Sequence, residues 1–259
     1  MKKDVGTMLL GSRELIYAGF SDTGKVRQMN EDDFIINPEL NLVAVADGMG
    51  GYEGGAAASH LTLEGIQNFI RFRAEPEATA PLGLNDEMLA APLLQGAAYY
   101  ANYRVHQEMA GKKSGSTLVS LYFDDDGVSL VHVGDSRAYL WRNGKLLQLT
   151  DDHSLVFDLY RLGDITKEEM ATHPRKNIIT RAIGIDEKVE PTIQRLEISQ
   201  GDLLLLCSDG LTGMVPDQNI ARLIQNETSL ERLGENLIYQ ANQKGGKDNI
   251  TVVLLFVLR

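Results

Sequence analysis

The chain has 259 residues, 43% of them hydrophobic, with 36 acidic and 25 basic side chains giving a formal net charge of -11. That length suffices for one full core and predicts a single domain over residues 1–259, while the acidic field argues against nucleic acid or an anionic membrane as a partner. Cys207 is the lone cysteine, which forbids an internal disulfide and disfavours a thiolate zinc site.

At the N-terminus, "MKKDVGTMLLGSRELIYAG" breaks its apolar positions with glycines and charges, too often for a signal peptide. No stretch approaches the ~18 apolar residues of a membrane span. A reducing, cytoplasmic location is therefore expected. "ELIYAGFSD", "DDFIINP" and "NLVAVAD" read as short strands, and "GGAAASHLTLEGIQNFIRF" then places its apolar residues at helical spacing. Residues 74–85, "AEPEATAPLGLN", are rich in proline and alanine and read as a surface excursion. Leu94, Ala97, Ala98, Ala101, Val105 and Met109 mark one face of a second helix, which "AGKKSG" ends.

Three β-like runs follow, "STLVSLYFD", "GVSLVHVGD" and "RAYLWRNGKLLQLT", with Asp-Gly and Asn-Gly turns that favour hairpins, so an antiparallel sheet is predicted here. Residues 153–172 are helical again, with Thr166 and Glu169 as a capping box. The last third offers a strand "GDLLLLCSD", a helix entered at Pro216, another capped by Thr228 and Glu231, a stop at "KGGKDN" and a final strand "ITVVLLFVL". With no internal repeat or long linker, strands and helices should form layers around one core.

Chemistry concentrates where these strands end. "NLVAVADG" stops at Asp47, "SLVHVGD" at Asp135 and "DLLLLCSDG" at Asp209, while Asp248 stands just before the last strand. A single strand-end aspartate is ordinary turn chemistry. Four at similar places suggest a shared cation, because converging carboxylates repel one another and lose hydration unless an ion neutralises them. Oxygen ligands without cysteine or clustered histidine suit magnesium or manganese rather than zinc. The glycines after Asp47 would let a backbone carbonyl turn toward a metal or a phosphate approach closely.

Other phosphate and hydrolase chemistries fail on spacing. From Gly48 a dinucleotide fingerprint would need glycine at position 53, where Glu53 stands, and no Gly-Lys-Ser/Thr occurs. Six residues past Cys207 stands Gly213, not a phosphate-binding arginine, and leucines surround the thiol, so an inert buried cysteine is expected. A Gly-x-Ser-x-Gly elbow is absent.

Seven segments carry a resemblance: "SDTGKVRQMNEDDF", "VADGMGGYEGGAAAS", "GSTLVSLYF", "VHVGDSRAYLWRNGKLLQLTDDHS", "HPRKNIITRAIG", "GDLLLLCSDGLTGMV" and "GGKDNITVVLL". In that order, from about residue 20 to Leu255, the chain resembles the metal-dependent protein phosphatases, or protein phosphatase type 2C, in their bacterial branch. The resemblance implies an α+β fold: a four-layer αββα sandwich of two antiparallel sheets flanked by helix pairs, with a small flap over about residues 153–184. It implies a serine/threonine protein phosphatase that uses two to three Mn2+ or Mg2+ ions, works on phosphorylated proteins opposite a serine/threonine kinase, and is a monomer. A catalytically weak member that only binds phosphoproteins is the alternative; it would be expected to lack a ligand, and none is missing.

Carried onto this sequence, the resemblance makes Asp47 the bridge between two ions, with the Gly48 carbonyl on one and Asp209 and Asp248 on the other. Asp32 would hold a metal-bound water, with Glu31 a less defined contributor, and Asp135 would join Asp209 at a third ion. Arg27 would grip the substrate phosphate, for which a planar guanidinium fork is well matched. Many eukaryotic relatives have a histidine where this chain has Met49, whose thioether cannot protonate a leaving oxygen. In the flap, Arg175 and Lys176 supply positive charge suited to steering a phosphoprotein.

Overall fold

The computed structural model describes residues 1–50, 53–75 and 79–259, with Glu53 described by its backbone alone. Gly51 and Tyr52 of the glycine-rich turn, and residues 76–78 of the proline-rich excursion, lie outside the described residues. The first part of the chain gives β1 (Lys2–Leu10), β2 (Arg13–Asp22), β3 (Asp32–Asn37) and β4 (Leu42–Met49), then α1 (Glu53–Ala74), α2 (Asp86–Ala90) and α3 (Leu93–Glu108). The middle gives β5 (Gly115–Ser116), β6 (Leu118–Asp124), β7 (Gly127–Val133), β8 (Arg137–Arg142) and β9 (Lys145–Gln148), followed by α4 (Leu155–Leu162) and α5 (Lys167–Thr172). The remainder is β10 (Thr192–Leu196), β11 (Leu203–Cys207), α6 (Asp209–Thr212), α7 (Asp217–Asn226), α8 (Leu230–Gln243) and β12 (Ile250–Val257).

Among the described residues the strands form two antiparallel sheets, one in the order β1-β2-β12-β11-β8-β9 and one in the order β10-β7-β6-β4-β3, with β5 paired to β4. The central strands read as unbroken apolar runs because both of their faces are covered. In β11, Leu204 and Leu206 enter the core between the sheets, whereas Leu203, Leu205 and Cys207 face the helices α7 and α8. Strand β4 divides likewise, with Val43 and Val45 between the sheets and Leu42, Ala44 and Ala46 against α1 and α3. Three apolar cores therefore separate four layers, as an αββα sandwich requires. No helix among the described residues is long and apolar enough to cross a membrane.

Several local expectations hold. The predicted face of α3 is buried from Leu94 to Met109. Asn143 and Gly144 both adopt positive φ in the β8–β9 turn, the conformation that fits the right-handed twist of a tight hairpin. The Thr166–Glu169 capping box is present on α5.

Two expectations need correction, and two strands were not read from the sequence. The runs over 116–150 do not form one sheet: β6 and β7 lie in one and β8 and β9 in the other, and the chain crosses between layers at Gly134, Asp135 and Ser136. Gly134 makes that crossing at φ +98, which a side chain would resist. The N-terminal stretch, too broken for a signal peptide, is a β1–β2 hairpin in register from Lys2↔Ser21 to Leu10↔Arg13. β1 escapes sequence reading because it is an edge strand whose residues up to Val5 are exposed, so that alternation is confined to its end, where Met8 and Leu10 alone enter the core. β10, a half-buried edge strand, is hidden for a similar reason. Finally, α8 is capped by Ser229, whose hydroxyl accepts from the Arg232 N–H at 3.3 Å, and not by Thr228.

Leu204 is fully buried where the two sheets meet. Leu204→Ala should lower unfolding free energy by about 2–5 kcal/mol through lost transfer energy and a residual cavity, measured by denaturant titration.

Candidate functional site

The strand-end aspartates come from both sheets and converge on one edge of the sandwich. Asp32 at the start of β3 and Asp47 near the end of β4 are direct cross-strand partners, so their side chains project from the same face. Asp209 follows β11 at the first turn of α6, and Asp248 precedes β12; the neighbouring pair Cys207↔Val252 keeps these two strand ends side by side. The sheets are tied across this edge by Ser208, whose hydroxyl donates to Asp32 Oδ2 at 2.7 Å and accepts from the Thr251 N–H at 3.0 Å. Asp135 sits in the crossover beyond β7, linked to Asp47 through backbone and hydroxyls: the Asp47 N–H donates to Thr117 Oγ1, which bonds Ser136 Oγ at 2.7 Å.

Burial and mutual repulsion dominate the electrostatics. Asp47 is driven well above the usual carboxylate range by burial, then by Asp32, Asp209, Asp135 and Asp248 in that order. All four of the other aspartates raise it, which places it centrally among them. Burial raises Asp32 to about 7, aided by Asp209 and Asp248 and opposed by the Ser208 hydrogen bond. Asp135 is raised to about 7 by burial and then by Asp209, and Asp209 to about 6 by burial and then by Asp248. Glu31 is also raised, chiefly by burial, with Arg27 opposing.

Arg27 stands at the rim, its side chain 47% exposed, donating from Nη2 to Asp248 Oδ2 at 2.7 Å with Nη1 3.9 Å from Glu31 Oε2. Gly48 is tightly enclosed: its N–H donates to the Glu31 carbonyl at 3.1 Å, and a methyl group there would overlap the Gly55 carbonyl. Close approach, not a special φ, demands glycine at this position.

These residues fit hard divalent cations. All the donors are oxygens, as magnesium and manganese prefer. Among the described residues, Asp32 Oδ1 and Glu31 Oε1 are buried with no hydrogen-bond partner, an arrangement that is costly unless a cation or a polar ligand meets them. Among the described residues no three such side chains are already drawn into a closed metal-holding group.

Of the residues singled out from the sequence, the structure brings Glu31, Asp32, Asp47, Gly48, Asp135, Asp209 and Asp248 to one edge of the sandwich, with Arg27 at its border. Cys207 is fully buried and its thiol is pushed up to about 12, as expected of an inert cysteine. The supporting hydroxyls and amides of Ser208, Thr117 and Asn249 were not foreseen. They lie inside recognisable segments, but serine, threonine and asparagine beside a turn read first as turn formers.

The profile of the protein phosphatase 2C family matches residues 24–254. The serine/threonine phosphatase stp of Listeria welshimeri is 39% identical over 91% of this chain and 93% of its own. The serine/threonine protein phosphatase PstP of Mycobacterium tuberculosis is 38% identical over 94% of this chain and 45% of its longer one. Among solved structures, the catalytic domain of a serine/threonine phosphatase PstP in complex with two manganese ions superposes with a TM-score of 0.79 at 35% identity, over 95% of this chain and 99% of that one. Stp1 of Staphylococcus aureus gives 0.80 at 34% identity, over 97% and 98%. The chain belongs to the protein phosphatase 2C family, in its bacterial branch, and is a serine/threonine protein phosphatase.

Proposed function

We propose that this phosphatase hydrolyses phosphoserine and phosphothreonine in proteins by direct attack of water, using two to three Mn2+ or Mg2+ ions held by Asp47, the Gly48 carbonyl, Asp209, Asp248 and, more peripherally, Asp135, with Asp32 holding water beside them. The observation that carries this reading is the meeting of carboxylates from both sheets around Asp47, with buried oxygens left without partners and a guanidinium at the rim. When bound there, hard divalent ions supply Lewis acidity and make hydroxide available near neutral pH.

The chain's own residues supply the remainder. Arg27 presents a planar fork to two phosphate oxygens and stabilises charge that develops on them. Asp32, held through Oδ2 by Ser208, keeps Oδ1 free to accept a hydrogen bond from the attacking water and align it with phosphorus. Glu31 adds negative charge beside Arg27 and helps hold it at the rim. With Cys207 buried and protonated, the lone thiol is no nucleophile, and direct attack by water needs no phosphoenzyme. Met49 cannot protonate the leaving oxygen. The proposed substrates are phosphorylated proteins of a serine/threonine kinase pathway, the kinase among them, with the phosphatase acting as a monomer. Arg175 and Lys176, both exposed beyond α5, are suited to steer such acidic substrates.

Hydrolysis of a phosphothreonine peptide should appear with added manganese, vanish with chelator and return when manganese is restored. Turnover that persists in chelator contradicts the proposal.

A further inference from the structure

The segment between β2 and β3 carries Arg27 at its exposed tip: residues 25–29 are all exposed, and neither helix nor strand spans 23–31. Such a segment should wander, yet the Lys25 and Val26 N–H groups donate to the Gly246 carbonyl, and both of its ends are held by one side chain. Asn249, 3% exposed, donates from Nδ2 to the Thr23 carbonyl at 2.9 Å and to the Met29 carbonyl at 2.8 Å. Its Oδ1 accepts from the Glu31 N–H at 2.8 Å. Both amide hydrogens and the amide oxygen are thus spent on the backbone of this one segment. The residue itself is fixed in turn. Its N–H donates to Asp248 Oδ1 at 2.9 Å, and its carbonyl lies so close to Gly210 that a methyl group there would overlap it.

We propose that Asn249 is a positioning residue for substrate phosphate, whose amide sets the span of residues 23–31 and so the reach of the Arg27 guanidinium. The proposal rests on the reading of Arg27 as the phosphate-gripping residue. Without the amide, two carbonyls and one N–H lose partners in a buried place. Water can replace those partners only where the segment lifts from β12, and lifting carries Arg27 away from the site. The change should therefore appear in substrate binding more than in turnover of bound substrate.

The experiment uses the full chain at saturating manganese with a phosphothreonine peptide. Asn249→Ala should raise KM about tenfold with kcat within about threefold, and Arg27→Ala should raise KM by a similar factor. In a double-mutant cycle, the Arg27→Ala/Asn249→Ala protein should show a KM within about twofold of Arg27→Ala alone, because the second change acts through the first. Should the alanine variant fail to fold, Asn249→Ser, whose hydroxyl keeps one of the three bonds, gives the same cycle with a smaller shift. A KM unchanged in the Asn249 variants, or two effects that multiply in the double variant, overturns the proposal. An unchanged KM in Arg27→Ala would remove the phosphate reading beneath it as well.

Discussion

Asp47→Asn is expected to lower kcat/KM on a phosphothreonine peptide by at least about a thousandfold, roughly 4 kcal/mol of transition-state stabilisation, while raising the melting temperature of the metal-free protein. Both effects come from the same position. As the carboxylate that four others bear upon, Asp47 is the one whose charge most cations at this edge would share. An amide is a weaker ligand and carries no charge to neutralise them. Without ions, however, the Asp47 carboxyl either holds a proton that the unfolded chain has released or stands as a desolvated charge among like charges, and an isosteric amide removes that cost with little change of shape. Steady-state kinetics with manganese and melting in chelator measure the pair of effects. A variant that keeps activity within tenfold, or that melts lower in chelator, is incompatible with a hub of mutually repelling ligands.

The second large effect is an inverted dependence of stability on pH. In the metal-free protein, Asp32 and Asp135 titrate at about 7 and Asp209 at about 6, all above the ordinary value of 3.8. Between these limits the folded chain still holds protons that the unfolded chain has released. Each rise in pH across the window therefore favours unfolding. The stabilisation is fully present below about pH 4 for these groups and is lost as pH passes through 6 and 7. Melting temperature in chelator should fall over that range, net of other titrations. With saturating manganese the sign reverses, since the cation competes with protons for the same oxygens and binds better as they leave. Parallel melts in the two conditions should diverge as pH rises; parallel curves would contradict the placement of these carboxylates.

How much of this could be read from the sequence depended on whether one element carried the whole signal. β4, β11 and β12 were legible because a strand covered on both faces is largely apolar along its covered length, and residues 42–46, 203–207 and 250–255 are buried without a break. The face of α3 and the cap of α5 were legible for the same reason, since spacing of three and four is a local property. β1 was not, because an outer edge strand needs few apolar residues and its partner β2 supplies the order. The crossing at Gly134 was not either: two hairpins in succession look alike whether they share a sheet or divide between two.

The site shows the same division. Each aspartate was visible at the end of its own strand. That β3 and β4 from one sheet meet β11 and β12 from the other at a common edge is a property of the packed layers. The supports were least legible. Ser208 and Asn249 act across 176 and 218 residues of sequence, and nothing local separates such a serine or asparagine from one that merely turns the chain.

The most direct measurement is anomalous diffraction at the manganese edge from crystals soaked in manganese. Two peaks about 4 Å apart are expected, both in contact with Asp47, one also touching the Gly48 carbonyl and the other Asp209 and Asp248. Peaks that leave Asp47 without a cation, at a manganese concentration that sustains turnover, would contradict the account.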